Sequence, residues 1–171
     1  MTELGKTALG IAKRIQDGVP RRRMPPDEGL ASESQQVIPF SVIRDTRGYL
    51  EKVTNQINGS YEHGWFDACA VLVRRLVETL IIETFEHHGI AHKIQDPNGD
   101  FLSLKDLVSL TLNETTWNLT RNTKQGLPKL KSVGDLSAHS RRYIAHRRDI
   151  DKIIDDLRVV VQELVYLAGL K

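Results

Sequence analysis

Six residues able to move protons or hold phosphate oxygens fall within the ten positions from His139 to His146, Arg147 and Arg148: two histidines and the arginines Arg141, Arg142, Arg147 and Arg148. Imidazole exchanges protons near neutral pH, and a guanidinium grips two phosphoryl oxygens through its planar fork. Together they suit phosphodiester chemistry that needs no metal. Neither Gly nor Pro interrupts Leu136 to Arg148. A helix there is expected to place His139, Arg142 and His146 on one face, at steps of three and four. The competing reading is structural: one histidine caps or bridges the fold, and the basic side chains coat a solvated face.

Charge supports attention to this region. From Arg121 to Arg148 there are eight Lys or Arg residues against Asp135 alone, a local charge of +7, whereas the whole chain carries only +2. Segregated charge of this kind attracts anions, and phosphates are abundant ones. Lys131, Arg147 and Arg148 are therefore candidate RNA- or phosphate-binding residues. The alternative is that these bases meet the acidic start of the last helix, Asp149 to Asp156. The Arg21-Arg22-Arg23 run lies in a Pro-rich stretch and carries less weight.

Other signals point to structure. His88 and His92 have a metal-pair spacing, but Gly89 stands between them and the glutamate order of a zinc-protease helix is missing. Cys69 sits in the densest apolar run and reads as a small core residue. Arg74, Arg75 and Glu78 interrupt that run, most simply as a solvated stripe or an Arg–Glu pair. Phosphate loops, dinucleotide fingerprints and cysteine clusters are absent from the sequence. No metal or cofactor is implied.

The elements that must position the basic segment are helical, and the expected fold class is all-α. Thr2 to Asp17 has the pattern of a short helix burying Leu4, Ala8, Ala12 and Ile15, and Val19 to Gln36 reads as a linker. Val37 to Ile43, interrupted by Pro39, is expected to lie extended against the core. Asp45 to Asn58 forms a first core helix ended by Gly59. A long helix follows to about His88, apolar almost all round, which demands neighbours on several sides. Gln95 to Asp100 is a turn. Ser103 caps a short helix, and another starts near Glu114. Gly126-Leu127-Pro128 breaks the chain before a piece reaching Ser132. A last helix starts at an Asp149 N-cap, with Ile150, Ile154, Leu157, Val161, Leu164 and Ala168 on its apolar face. This gives an N-terminal arm over 1–43 and a bundle of four to five core helices over 44–171.

The order of these segments resembles the HEPN superfamily. The resemblance rests on Gly59-Ser60-Tyr61, on Trp65-Phe66-Asp67-Ala68 and Val71 to Glu78, and on Val133-Gly134-Asp135-Leu136-Ser137-Ala138-His139 before a final amphipathic helix. It is nearest to uncharacterised bacterial HEPN-like domains with a Gly-Asn-x-x-Ala-His signature, and it covers about residues 44–169. It implies a helical bundle, usually dimeric, and in active members a metal-independent ribonuclease with an Arg four to six residues before a His. Arg141 and His146 meet that spacing. In the preferred registration Gly134-Asp135-x-x-Ala138-His139 aligns with the signature. Asp135 then replaces the usual Asn at the phosphate-binding position, and the cation comes from Arg141, Arg142 or a second subunit.

Composition agrees with one ordered domain: 171 residues, 40% hydrophobic and 27% charged. A single cysteine, no signal-like start and no uninterrupted apolar span lead to the expectation of a cytoplasmic protein without membrane segments. The expected function is RNA or phosphate binding, extending to metal-independent endoribonuclease chemistry by His139, His146, Arg141 and Arg142. The alternative is a noncatalytic module that dimerises or docks a partner protein in a toxin-antitoxin or phage-defence assembly.

Overall fold

The computed structural model describes residues 36–171, so the expectations for Thr2 to Asp17 and for the linker up to residue 35 lie outside the described residues. The described chain is all-helical. It comprises α1 (Phe40–Ile43), α2 (Gly48–Glu62), α3 (Phe66–His87), a 3-10 turn (Ala91–Ile94), α4 (Leu104–Asn113), α5 (Arg121–His139), α6 (Arg147–Asp151) and α7 (Ile154–Leu167). No strand occurs among the described residues; Gln95 and Phe101 form a single bridge around the expected turn, in which Asp96 accepts the N–H groups of Asn98 and Asp100.

Helix α3 is the axis of the bundle and packs against α2, α5 and α7. Its apolar residues point to several sides because several helices cover it. Cys69, Leu76, Val77, Leu80, Ile81 and Phe85 are all fully buried. Burial pushes the Cys69 thiol up to about 12, which makes it an inert core group.

Several boundaries differ from expectation, each for a physical reason. The extended reading of Val37 to Ile43 holds only in part. Val37 and Ile38 are buried, but Pro39 starts the single turn of α1, since its fixed φ of −57° suits a helix start and its missing N–H costs nothing there. Helix α2 does not stop at Gly59. Gly59 and Ser60 are buried within it, and the reversal comes at Gly64 (φ +77°), where Trp65 N–H reaches Ser60 O and Gly64 N–H reaches Tyr61 O. That pair of bonds is the Schellman closure, which needs a left-handed residue.

No helix starts at Glu114. Its carboxylate instead accepts from Lys93 Nζ at 2.9 Å and from the N–H groups of Thr115 and Thr116, so local side-chain bonds displace the helical ones. The hydrogen bond from Lys93, followed by that from Thr116, holds this carboxyl at about 2, below its usual 4.5. A depressed carboxyl stabilises the fold above its unfolded pKa and ceases to do so as pH falls. Urea midpoints of the wild type and Glu114→Gln should therefore differ at pH 7 and converge between pH 4.5 and 2. A difference unchanged at pH 2 would rule out this account.

The largest correction concerns α5. The expected break at Gly126-Leu127-Pro128 is absent, and one helix runs from Arg121 to His139 with Pro128 inside it. An interior proline costs on the order of 3 kcal/mol. Here Leu127 and Leu130 are completely buried, and Gly126 lies against Val160 and Asp156 of α7. Packing outweighs the local penalty. The N-terminus of α5 is fixed by Glu163, whose carboxylate accepts from Thr120 N, Thr120 Oγ1 and Thr123 Oγ1 at 2.7, 2.6 and 2.5 Å.

Asp149 is not the N-cap of the last helix. It is the third residue of the short α6, where its Oδ2 accepts the N–H of the N-cap His146 at 3.0 Å. Helix α7 begins later, with Asp155 and Asp156 in its first turn, where the helix dipole favours carboxylates. Of the expected inward row, Leu157, Val161, Leu164 and Ala168 are buried, whereas Ile150 is buried in the preceding α6 and Ile154, the first residue of α7, is only partly buried, Ile153 taking the inward place.

Candidate functional site

The basic segment spans the end of α5, a seven-residue connection and the start of α6. The expected helix from Leu136 to Arg148 ends at His139, because Ser140 is extended (φ −84°, ψ 125°). His139, Arg142 and His146 therefore do not share a helical face. His139 closes α5 and His146 opens α6, so the two imidazoles stand at opposite ends of the connection.

Side-chain acceptors hold the connection where a helix would have used backbone ones. Asp67 of α3 accepts the N–H of Ala145 at 3.0 Å, and Asp149 accepts that of His146. The His146 N–H, with the Tyr143 hydroxyl, keeps the Asp149 carboxyl below the ordinary range. Burial and the neighbouring Asp149 push the Tyr143 phenol up. The anchored chain alternates: Tyr143 is half-buried, Ile144 is 67% exposed, Ala145 is buried and His146 is exposed. That two-residue period turns Ile144 and His146 to solvent together.

The bases of this region divide into engaged and open ones. Arg147 stacks on Tyr61, its guanidinium carbon 4.8 Å from the ring centre, and donates to the Tyr61 hydroxyl at 3.3 Å. Tyr61 in turn donates to Asp151 at 2.5 Å, and burial followed by that carboxylate raises its pKa. Arg147 thus pins α6 to α2. Lys129 pairs with Asp156 at 2.8 Å. Lys131 pairs with Asp135 at 2.5 Å, and the same carboxylate receives Arg74 Nε at 3.1 Å. Desolvation works against the charged form of Asp135, but the two cations outweigh it and its pKa is lowered. Arg74 also meets Glu78 at 3.3 Å, the expected Arg–Glu pair.

Arg141 and Arg142 differ from all of these. Both are exposed on the connection, with no hydrogen bond or ion pair to another described residue. Arg148 is likewise exposed, with Asp149 as its charged neighbour. His146 is open too, its Nδ1 3.7 Å from Asp149. His139, Lys131, Ser132, Asp135, Leu136 and Ser140 line a shallow depression of about 380 Å³. Across Leu136 and Ser132 it continues into a groove of about 660 Å³ walled by Tyr143, Lys129, Lys152 and Ile153.

Gly134 and Asp135, the first residues of the Gly-Asp-x-x-Ala-His stretch, join α5 to α3. A Cβ on Gly134 would lie 2.5 Å from Arg74 Cβ, so only glycine permits this approach. Helix propensity favours alanine by about 1 kcal/mol, but overpacking a fixed contact costs about 1–3 kcal/mol. Gly134→Ala is expected to lower stability by up to about 2 kcal/mol in urea unfolding. A more stable variant would mean that the helices do not meet so closely.

Compared with known protein families, with curated proteins and with solved structures, the chain matches none. The site is therefore defined by its own geometry. Sequence reading missed three of its parts. Asp67 anchors the connection from 78 residues away, which no local pattern signals, and Tyr143, within the connection, meets Asp149 only because the chain folds back there. Ile144 was detectable only as the outward member of a two-residue alternation, in a stretch read with helical periodicity.

Proposed function

We propose that this chain is a HEPN-like helical domain that binds RNA, or another phosphate-bearing ligand, on the surface from Lys131 to Arg148. The observation that carries the reading is the contrast between Arg141 and Arg142, which like the neighbouring Arg148 have no hydrogen bond or ion pair among the described residues, and the paired bases of the same region. Lys129, Lys131 and Arg147 are occupied with internal partners, which is what a purely structural role for the charge predicts. Arg141 and Arg142 stand open on a connection tethered through Asp67 and Asp149. A tethered loop presenting two open guanidinium groups is suited to contacting phosphates, because little ordering entropy is lost on binding.

The same surface carries the groups for cleavage. One histidine, His139 or His146, takes the proton from an RNA 2′-hydroxyl, whose oxygen then attacks the adjacent phosphorus. Arg141 or Arg142 stabilises the charge on the phosphorane. The 5′-oxygen leaves with a proton, and a 2′,3′-cyclic phosphate remains. In a homodimer the second histidine or arginine can come from the other subunit, as the resemblance implies. A second reading, a noncatalytic module that docks a partner protein, is favoured by one observation: Ile144 and Leu136 are 67% and 42% exposed within the basic region.

Two assays separate these readings. In the first, anisotropy of labelled single-stranded RNA is followed against salt. Binding that weakens steeply with salt supports the phosphate-binding surface, and absent or salt-independent binding leaves the partner-docking reading. In the second, end-labelled RNA is incubated in excess EDTA with wild type, His139→Ala and His146→Ala. Cleavage abolished in one variant assigns the base, while RNA that stays intact with wild type removes catalysis from the proposal.

A further inference from the structure

Trp65 is 50% exposed at the turn between α2 and α3, whereas Trp117 is buried in the core. An indole left half in solvent forfeits much of the burial that usually stabilises a protein through this side chain. The core is filled without it: Tyr61 and Cys69 are the inward residues here, and Phe66 packs edge-on against Tyr61 with ring centres 5.9 Å apart. The position of Trp65 is nevertheless fixed. Its backbone N–H reaches Ser60 O at 2.8 Å, and its carbonyl accepts the N–H of Cys69 at 2.9 Å. The His63 ring, whose Nδ1–H donates to Gly59 O at 2.8 Å, lies beside the indole with centroids 5.3 Å apart. A fixed aromatic in solvent is a preformed stacking surface, since little rotamer entropy is lost when a flat ligand covers it.

The next two residues set Trp65 against the basic connection. Asp67 accepts the N–H of Ala145 at 3.0 Å, and the Arg147 guanidinium carbon is 5.9 Å from the centre of the Phe66 ring. These contacts bracket His146, which is exposed between Ala145 and Arg147. Trp65 and His146 therefore flank one seam, where the α2–α3 turn meets the connection. Arg142 precedes Ala145 by three residues, so the chain keeps it within about 10 Å of the seam. An aromatic surface, an imidazole and open guanidinium groups are thus brought together from two distant stretches of sequence. A nucleotide matches that combination, because it carries a flat base and a charged phosphate on one sugar.

We propose that Trp65 is the base-stacking residue of this surface: one unpaired base of the RNA lies on the indole while Arg141 and Arg142 hold the flanking phosphates. The inference rests on the RNA reading above and deepens it. It adds a base to the phosphates that the surface recognises, and it sets the bound nucleotide beside His146, away from the depression at His139.

Anisotropy of a labelled oligouridylate, followed across salt with wild type, Trp65→Ala and Trp65→Phe, tests the proposal. Stacking adds affinity without neutralising a phosphate, so Trp65→Ala is expected to weaken binding by about 5- to 100-fold at an unchanged salt slope. Trp65→Phe keeps a ring and is expected to retain most of the affinity. A strand of the same length with abasic sugars should bind the wild type more weakly than oligouridylate does, and Trp65→Ala should leave that binding unaltered. Because Trp117 is buried, oligouridylate is also expected to quench the tryptophan emission of the wild type and not that of Trp65→Phe. Far-UV circular dichroism and melting temperatures matching the wild type establish that the variants are folded.

Wild-type affinity in Trp65→Ala, while loss of Arg141 and Arg142 still lowers the slope, would overturn the stacking role alone and return Trp65 to a protein-docking face. Equal weakening of oligouridylate and the abasic strand in Trp65→Ala would also overturn it, because the indole would then support the connection and not a base. Absence of RNA binding by the wild type would remove the phosphate surface itself, and this role with it.

Discussion

Asn58→Ala is expected to destabilise the domain by about 2–6 kcal/mol, because one side chain satisfies both backbone groups of a buried residue. Asn58 is 1% exposed and Ile38 is fully buried. The amide accepts the N–H of Ile38 at 3.0 Å and donates to its carbonyl at 2.9 Å, imitating a strand partner for a residue that has none. Alanine removes both bonds and leaves a donor and an acceptor in an apolar setting, each costing about 1–3 kcal/mol. The consequence spreads, since Ile38 leads directly into Pro39 and α1, and the carbonyls of Gln36 and Val37 engage Arg158 of α7. Urea unfolding should show a lower midpoint, and hydrogen exchange should accelerate first at residues 36–43. An unaltered midpoint together with unaltered exchange would show that this pair of bonds contributes nothing net.

Joint replacement of Arg141 and Arg142 by alanine is expected to have the largest functional effect. If each guanidinium neutralises one phosphate of a single strand, the slope of log K against log salt falls by about 0.7 for each, or about 1.4 together. At 0.1 M salt that corresponds to roughly a 25-fold loss of affinity. Stability should scarcely move, because neither side chain bonds to another described residue and exposed substitutions usually stay within about 0.5 kcal/mol. Arg147→Ala should behave in the opposite way: its ring stacking and its bond to Tyr61 make its loss a matter of stability before binding. A double variant that binds RNA with the wild-type slope would transfer the phosphate contacts elsewhere.

The candidate site was legible in composition and obscure in shape. The concentration of bases from Arg121 to Arg148, the paired histidines and the distinct Gly134-Asp135 pair can be read from the residues alone. Their spacing suggested a helical face because nothing between Leu136 and Arg148 forbids a helix locally. The deciding groups, Asp67 and Asp149, offer acceptors to the N–H groups of Ala145 and His146, and one of them comes from a helix 78 residues away. Asp135 shows the same limit in reverse. Placed by resemblance at a phosphate, its carboxylate is shared between Lys131 and Arg74, and Arg74 is reached only because Gly134 lets α5 touch α3.

By itself the sequence determined the helical class, the core row of the last helix from Leu157 to Ala168, the Ser103 cap and the turn at Asp96 to Asp100. Each depends on apolar periodicity or on bonds made within a few residues, and such signals are complete in the local chain. Tertiary structure decided where helices end and which charges remain open. Helix α5 runs through Pro128 because burying Leu127 and Leu130 against the bundle outweighs a local penalty of about 3 kcal/mol. Lys131 meets Asp135 at an i,i+4 spacing within one helix, but Lys129 and Arg147 are engaged because Asp156 and Tyr61 reach them from other helices, whereas nothing among the described residues reaches Arg141 and Arg142. A pairing between elements is fixed by the way the helices pack, and one-dimensional spacing does not encode it.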